Sequence, residues 1–109
     1  MSLVTAALAL AGAAALAAAP AHAADAANGR VLARACSACH GKLGLANDPE
    51  VPHLAGQSSL YVRKALEDYR SGARHDRRMT IMAEPLSDEA IADLAAWYES
   101  IEVSATAPE

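Results

Sequence analysis

The chain contains no phenylalanine, one tryptophan and three tyrosines in 109 residues. Large aromatic side chains supply much of the buried area in an ordinary small core, so a core of that kind is excluded and something else has to fill the interior. Charge is also missing from one end: Met1 to Ala24 holds no Asp, Glu, Lys or Arg, and all nine basic and thirteen acidic residues fall in Asp25 to Glu109. There is no basic excess, and a formal net charge of −4 argues against a nucleic-acid partner. The two cysteines can form at most one bridge. The length suits one small domain and excludes multidomain machinery. Domains of this size often recruit a disulfide, a metal or a cofactor to supplement a thin core.

The uncharged end has a pattern of its own. Leu3 to Ala19 is apolar and built mostly of Ala and Leu, and Pro20-Ala21-His22-Ala23 closes with the small-x-small pattern read by a signal peptidase. Residues 1–23 are therefore expected to be a secretory signal removed after Ala23, which places the protein in a bacterial periplasm with oxidising chemistry available to its thiols. A membrane anchor is the competing reading. The apolar run sits at the lower limit for spanning a bilayer, and Ala substitutes poorly for Leu or Ile in hydrocarbon.

From Ala24 onward the periodicity predicts an all-α domain of three helices. The first is expected from about Ala26 to Ala38, capped by Asp25 or Asn28, with Val31, Leu32 and Ala35 as its apolar stripe. Gly29 costs helix stability, so close approach by another backbone or a ring is the expected reason for it. A loop from Gly41 to Gln57 follows. The second helix opens near Ser58 or Ser59 and stops at Gly72, with Val62, Leu66 and Tyr69 on its apolar face. The third starts at Ser87, carries Asp88 and Glu89 in its first turn, and points Ile91, Leu94, Ala95 and Tyr98 inward, with Trp97 and Ile101 widening the stripe. The tail, residues 105–109, is expected to be mobile.

Cys36-Ser37-Ala38-Cys39-His40 is a C-x-x-C-H run. Two thiols at this spacing can add to the two vinyl groups of a haem while the adjacent imidazole reaches the iron. A thioredoxin-like pair would need a βαβ setting that the chain lacks. A zinc site would need a second ligand pair, which His53 and His75 do not supply. A bridge between Cys36 and Cys39 would close too short a loop to restrain the chain much. A haem held by His40 needs its sixth ligand defined, because that ligand separates electron carriers from haem enzymes and gas binders. The candidates are Met79, Met82, His53 and His75. The methionines lie in Arg78-Met79-Thr80-Ile81-Met82, a segment with no strong helix signal, and either could instead be core filler. The two histidines have the surroundings of solvated surface residues.

With these residues in view, the chain resembles the class I c-type cytochromes. It is most similar to one half of the tandem two-haem periplasmic cytochromes, through Cys36 to Gly41, Pro52-His53-Leu54-Ala55-Gly56-Gln57, Met79 to Met82, and Leu86 to Tyr98. The resemblance implies an all-α class I cytochrome c fold over 24–104, three main helices and loops wrapped around one covalently attached haem c with its iron. It implies thioether attachment at Cys36 and Cys39 and axial ligation by His40 and by Met79, which lies eight residues before Ser87. It also implies that the Pro52 carbonyl accepts the Nδ1 proton of His40, and that Gly29 lets the first helix cross the third near Trp97 or Tyr98. The implied function is one-electron transfer in the periplasm, without a catalytic residue or small-molecule substrate. Two other readings are a haem subunit of a larger dehydrogenase and a five-coordinate, peroxidase-like or ligand-sensing protein.

The charge order suggests the partners. Between Arg63 and Arg78 six basic residues face three acids, whereas Met79 to Glu109 has seven acids and neither Lys nor Arg. A basic segment leading into the methionine loop is expected beside the haem edge. There it would steer the molecule toward an acidic patch on a periplasmic dehydrogenase, a membrane oxidoreductase or a terminal oxidase. Any membrane association would come through such partners.

Overall fold

Three side chains set where three of the helices begin. The Asp25 carboxylate accepts from the amides of Ala27 and Asn28 at 2.9 and 3.1 Å and starts α1, Ala26–Leu32. Ser58 accepts from the Tyr61 amide and starts α3, Ser59–Ser71, which Gly72 ends in a left-handed conformation. Ser87 accepts from the Ala90 amide and starts α5, Asp88–Glu99. Each of these caps satisfies amides that a helix start otherwise leaves unpaired. The computed structural model describes Met1, residues 12–18 and residues 22–109; residues 2–11 and 19–21 of the expected signal segment lie outside it. No strand occurs among the described residues, and none of their helices is long and apolar enough to cross a membrane.

The first helix departs from expectation in length and in facing. It tightens into a 3₁₀ turn at Ala33–Ala35 and re-forms as α2, Ser37–His40. Gly29 and Ala33 are its buried positions, Leu32 and Cys36 are half-buried, and Val31 is 52% exposed. The inward face is thus 29, 32, 33 and 36, a helical i, i+3, i+4, i+7 row. Gly29 explains the rotation. A Cβ there would fall on the Asp93 carbonyl and lie 2.9 Å from Trp97 Cβ, so the bare glycine lets α1 lie backbone to backbone against α5. The expected crossing against the last helix is present, centred on Asp93 and Trp97.

The methionine segment is a second departure. It forms a short helix, α4, Met79–Ala83. Its cap lies upstream, where the Asp76 carboxylate accepts from the amides of Arg78 and Met79 at 2.8 and 2.9 Å. The Asp76 amide in turn donates to Thr80 Oγ1 at 3.1 Å. Arg70 braces the far side, donating to the Leu86 carbonyl and to Asp88 at 2.9 and 2.6 Å. The core is small, as the composition implied. Ala33, Leu94 and Tyr98 form its buried cluster, and Leu32, Cys36, Leu54, Leu66, Leu86, Trp97 and Ile101 pack around them.

Candidate haem-binding site

The C-x-x-C-H run occupies one helical turn. The amides of Cys39 and His40 both donate to the Cys36 carbonyl, at 3.3 and 3.0 Å, which puts positions 36, 39 and 40 on one face. Both cysteines are free; Cys36 is half-buried and Cys39 exposed. Burial pushes the Cys36 thiol up, against a smaller opposing pull from the Tyr98 hydroxyl. His40 is only 5% exposed. Its Nδ1 lies 2.9 Å from the Pro52 carbonyl oxygen. A carbonyl can only accept, so Nδ1 carries the proton and Nε2 is left with a free lone pair.

The loop that presents Pro52 is tied down by its own backbone. The Gly44 carbonyl accepts from the amides of Leu54 and Ala55 at 2.7 and 3.0 Å, and the Gly56 amide donates to the Tyr98 carbonyl at 2.9 Å. His53 adds a tie that its sequence position did not suggest. It is exposed, as expected, but its Nδ1 accepts from the Ala46 amide at 2.8 Å. His75 is exposed, beside Thr80. Met79 is half-buried at the start of α4 with its amide held by Asp76, whereas Met82 is 40% exposed.

Two buried groups escaped the sequence reading. Asp93 was counted there among the charges of an acidic segment, yet it is 2% exposed. Its carboxylate takes donors from Asn28, from the Asp25 amide and from His22, and these hold it down at about 2. Its position two residues after Ile91 and directly before Leu94, in line with Ala90 and Trp97, was the available signal. The second group is the Tyr98 hydroxyl, which is buried, faces Cys36 and makes no hydrogen bond among the described residues. Burial, with the Cys36 thiol adding to it, pushes this hydroxyl well above its ordinary range. It therefore stays protonated at neutral pH, beside the Cys36 thiol.

This donor set fits a covalently attached haem. Two free thiols share one helical face, the neighbouring imidazole has only Nε2 to give, and Cys36 packs on the apolar cluster. A cavity of about 230 Å³ opens beside the run, bordered by Ser37, Cys39, Val51 and Arg78.

Comparison with known proteins agrees with this chemistry. The family model described as Cytochrome c matches residues 26–102. Cytochrome c4 of Pseudomonas aeruginosa is 44% identical over 85 residues, 77% of this chain and 42% of that protein. Cytochrome c-554(548) of Halomonas halodenitrificans is 46% identical over 81 residues, 72% of this chain and 98% of that protein. The crystal structure of reduced recombinant cytochrome c4 from Pseudomonas stutzeri superposes with a TM-score of 0.70 at 37% identity, over 75% of this chain and 48% of that one. The chain spans half or less of the length of the cytochrome c4 proteins it matches. With its class I fold and its resemblance to one half of cytochrome c4, this chain belongs to the cytochrome c family, electron carriers that hold haem c covalently.

Proposed function

We propose that this chain is a periplasmic single-haem cytochrome that carries one electron at a time between redox proteins through an exposed haem edge. Residues 1–23 direct export and are removed. Cys36 and Cys39 supply the thiols for attachment, each adding its S–H across a vinyl group. Nε2 of His40 and the sulfur of Met79 would hold the iron, with Pro52 orienting His40. Bound there, haem iron supplies a one-electron couple.

The observation that carries this reading is the buried His40 imidazole, donating to Pro52 next to two free thiols. A hydrogen bond of this kind fixes the ring and raises the basicity of its other nitrogen. Met79 is favoured over Met82 because it is half-buried with its amide tied to Asp76, while Met82 is turned toward solvent. With His40 and Met79 both holding the iron, no position would be left on it for a substrate, and no catalytic residue would be called for.

Part of the basic block between Arg63 and Arg78 is engaged within the fold, and further cations lie closer to the attachment run. Lys64 is paired with Asp68 and Arg70 with Asp88, and Arg74 lies over the Tyr69 ring. Arg78 borders the cavity beside Cys39. Across Ser37 a second cleft of about 580 Å³ is lined by Arg30, Arg34 and Lys42. These four cations flank the attachment run and suit an acidic patch on a periplasmic dehydrogenase, a membrane oxidoreductase or a terminal oxidase.

Three measurements on protein matured in a competent host test the proposal. Intact mass reports the added tetrapyrrole, a pyridine haemochrome spectrum reports two thioether links, and the ferric protein shows the weak red-edge band of methionine ligation. Absence of tetrapyrrole ends the haem reading. Rapid carbon monoxide binding by the reduced protein ends the methionine ligation.

A further inference from the structure

Asp93 and His40 are the buried polar side chains among the described residues, and the site above accounts only for His40. From α5 the Asp93 carboxylate reaches the segment just ahead of α1. Oδ1 accepts from the Asp25 amide at 2.7 Å and from His22 Nε2 at 2.8 Å, and Oδ2 accepts from Asn28 Nδ2 at 2.7 Å. Two of these donors flank the Ala23–Ala24 bond, whose residues are exposed. Asp25 and Asn28 belong to the domain. His22 belongs to the segment that leaves if residues 1–23 are removed.

We propose that the Asp93 carboxylate is a binding site for an ammonium group, and that in the mature protein it takes the α-amino group of Ala24 in place of His22. The inference rests on the proposed removal of 1–23. Hydrolysis of the Ala23–Ala24 bond by a signal peptidase consumes one water, leaves a carboxylate on the departing Ala23, and leaves an ammonium on Ala24. That cation stands one residue before an amide already bonded to Oδ1, and consecutive Cα atoms are only about 3.8 Å apart. Rotation within Ala24 therefore brings it to the carboxylate. A terminal ammonium is a better partner than His22 for a carboxylate that is charged at every physiological pH, because imidazole is largely neutral above its own pKa. Around His22 the other charged groups are the carboxylates of Asp25 and Glu89, and both attract a cation. The positive end of α1 opposes it, but that partial charge faces three full negative ones.

The test uses secreted holoprotein. Intact mass first identifies the terminal residue. The amines are then ¹³C-dimethylated, which preserves their charge, and titrated by NMR with Lys42 and Lys64, the only lysines, as internal references. The α-amine is expected to titrate about one unit above the ordinary terminal value of about 7.7–8.0. Asp93→Asn is expected to return it to that value. So is a Gly-Gly insertion ahead of Ala24, which moves the ammonium away without touching the core and serves if Asp93→Asn fails to fold. An ordinary value in the unaltered protein overturns the proposal, as does a raised value that survives the insertion. If the mass shows 1–23 still attached, the signal reading has failed. The same domain placed behind an efficiently processed heterologous leader, so that it begins at Ala24, then decides the pairing by itself.

Discussion

Nδ1 of His40 donates to the carbonyl of Pro52, twelve residues further along the chain, across 2.9 Å. The bond depends on Gly44, whose carbonyl takes two amides from the far side of the loop. Gly44 has a φ of +76°, and a Cβ on it would lie 2.7 Å from the Ala55 amide nitrogen and 3.0 Å from the Tyr98 ring. Gly44→Ala is expected to cost about 2–3 kcal/mol from left-handed strain and overpacking. Thermal unfolding measures the cost. NMR should also show the His40 Nδ1 proton exchanging faster with solvent, and an unchanged exchange rate would show that Gly44 does not position Pro52.

Gly29→Ala tests the helix crossing. The added methyl would sit on the Asp93 carbonyl, and backbone cannot swing aside as a side-chain tip can. A loss of about 3 kcal/mol is expected, read as a lower denaturant midpoint with an unchanged slope. Ala at the exposed neighbouring position 31 should shift the midpoint far less.

Ligation is tested by truncating the two methionines separately. Met79→Ala should abolish the red-edge ferric band and let the reduced protein bind carbon monoxide rapidly, while Met82→Ala keeps the band. Removing the α4 cap should act on the same readout more mildly. Asp76→Ala is expected to cost about 1 kcal/mol and weaken the band, whereas Asp76→Asn keeps an acceptor oxygen and most of both.

Acid stability should carry the signature of Asp93. Its donors, Asn28 first, hold the folded carboxyl down at about 2, against about 3.9 in an unfolded chain. A depressed carboxylate contributes stability above the unfolded value and loses it as pH falls toward the folded one. The melting temperature should therefore be flat down to about pH 4 and fall from there toward pH 2. Glu99, also lowered by the Ser59 amide, is exposed and adds less. Asp93→Asn should flatten the acid limb and lower stability at neutral pH. An acid limb of unchanged steepness in the variant would count against the assignment.

Partner encounter should weaken with salt. If Arg30, Arg34, Lys42 and Arg78 steer an acidic partner, the second-order rate of electron exchange falls as ionic strength rises through 0.1 M, where the Debye length is about 10 Å. Arg78→Glu should lower the rate at low salt and flatten its salt dependence. Lys64→Glu should change little, because Lys64 is already paired with Asp68.

The attachment run, the cap at Ser87 and the inward stripe of the last helix were all legible in the sequence, because each is local. A cap concerns three or four residues, and C-x-x-C-H is complete within a single turn. The errors fell where distant segments meet. Val31 reads as a core residue on its own helix, yet it faces outward because Gly29 admits α5 and rotates the inward row. The methionine segment lacks a helical pattern and forms α4 because Asp76 caps it, while Arg70, from another helix, ties down the turn that follows at Leu86 and Asp88.

The amino-acid order by itself determined which side chains can do the chemistry: two thiols and an imidazole at fixed separations, thioethers ahead of a capped helix, and an uncharged leader-like end. Covalent spacing sets these, and folding cannot alter it. The fold brings together the Pro52 carbonyl and His40, a contact the family resemblance implied, and tertiary structure alone decided that Asp93 is a buried acceptor rather than one more surface acid and that Arg70 already has an acidic partner. Each of those outcomes depends on groups far apart in the chain arriving within hydrogen-bond distance, and only the packing of α1 on α5 and the folding back of the loop between α2 and α3 bring them there.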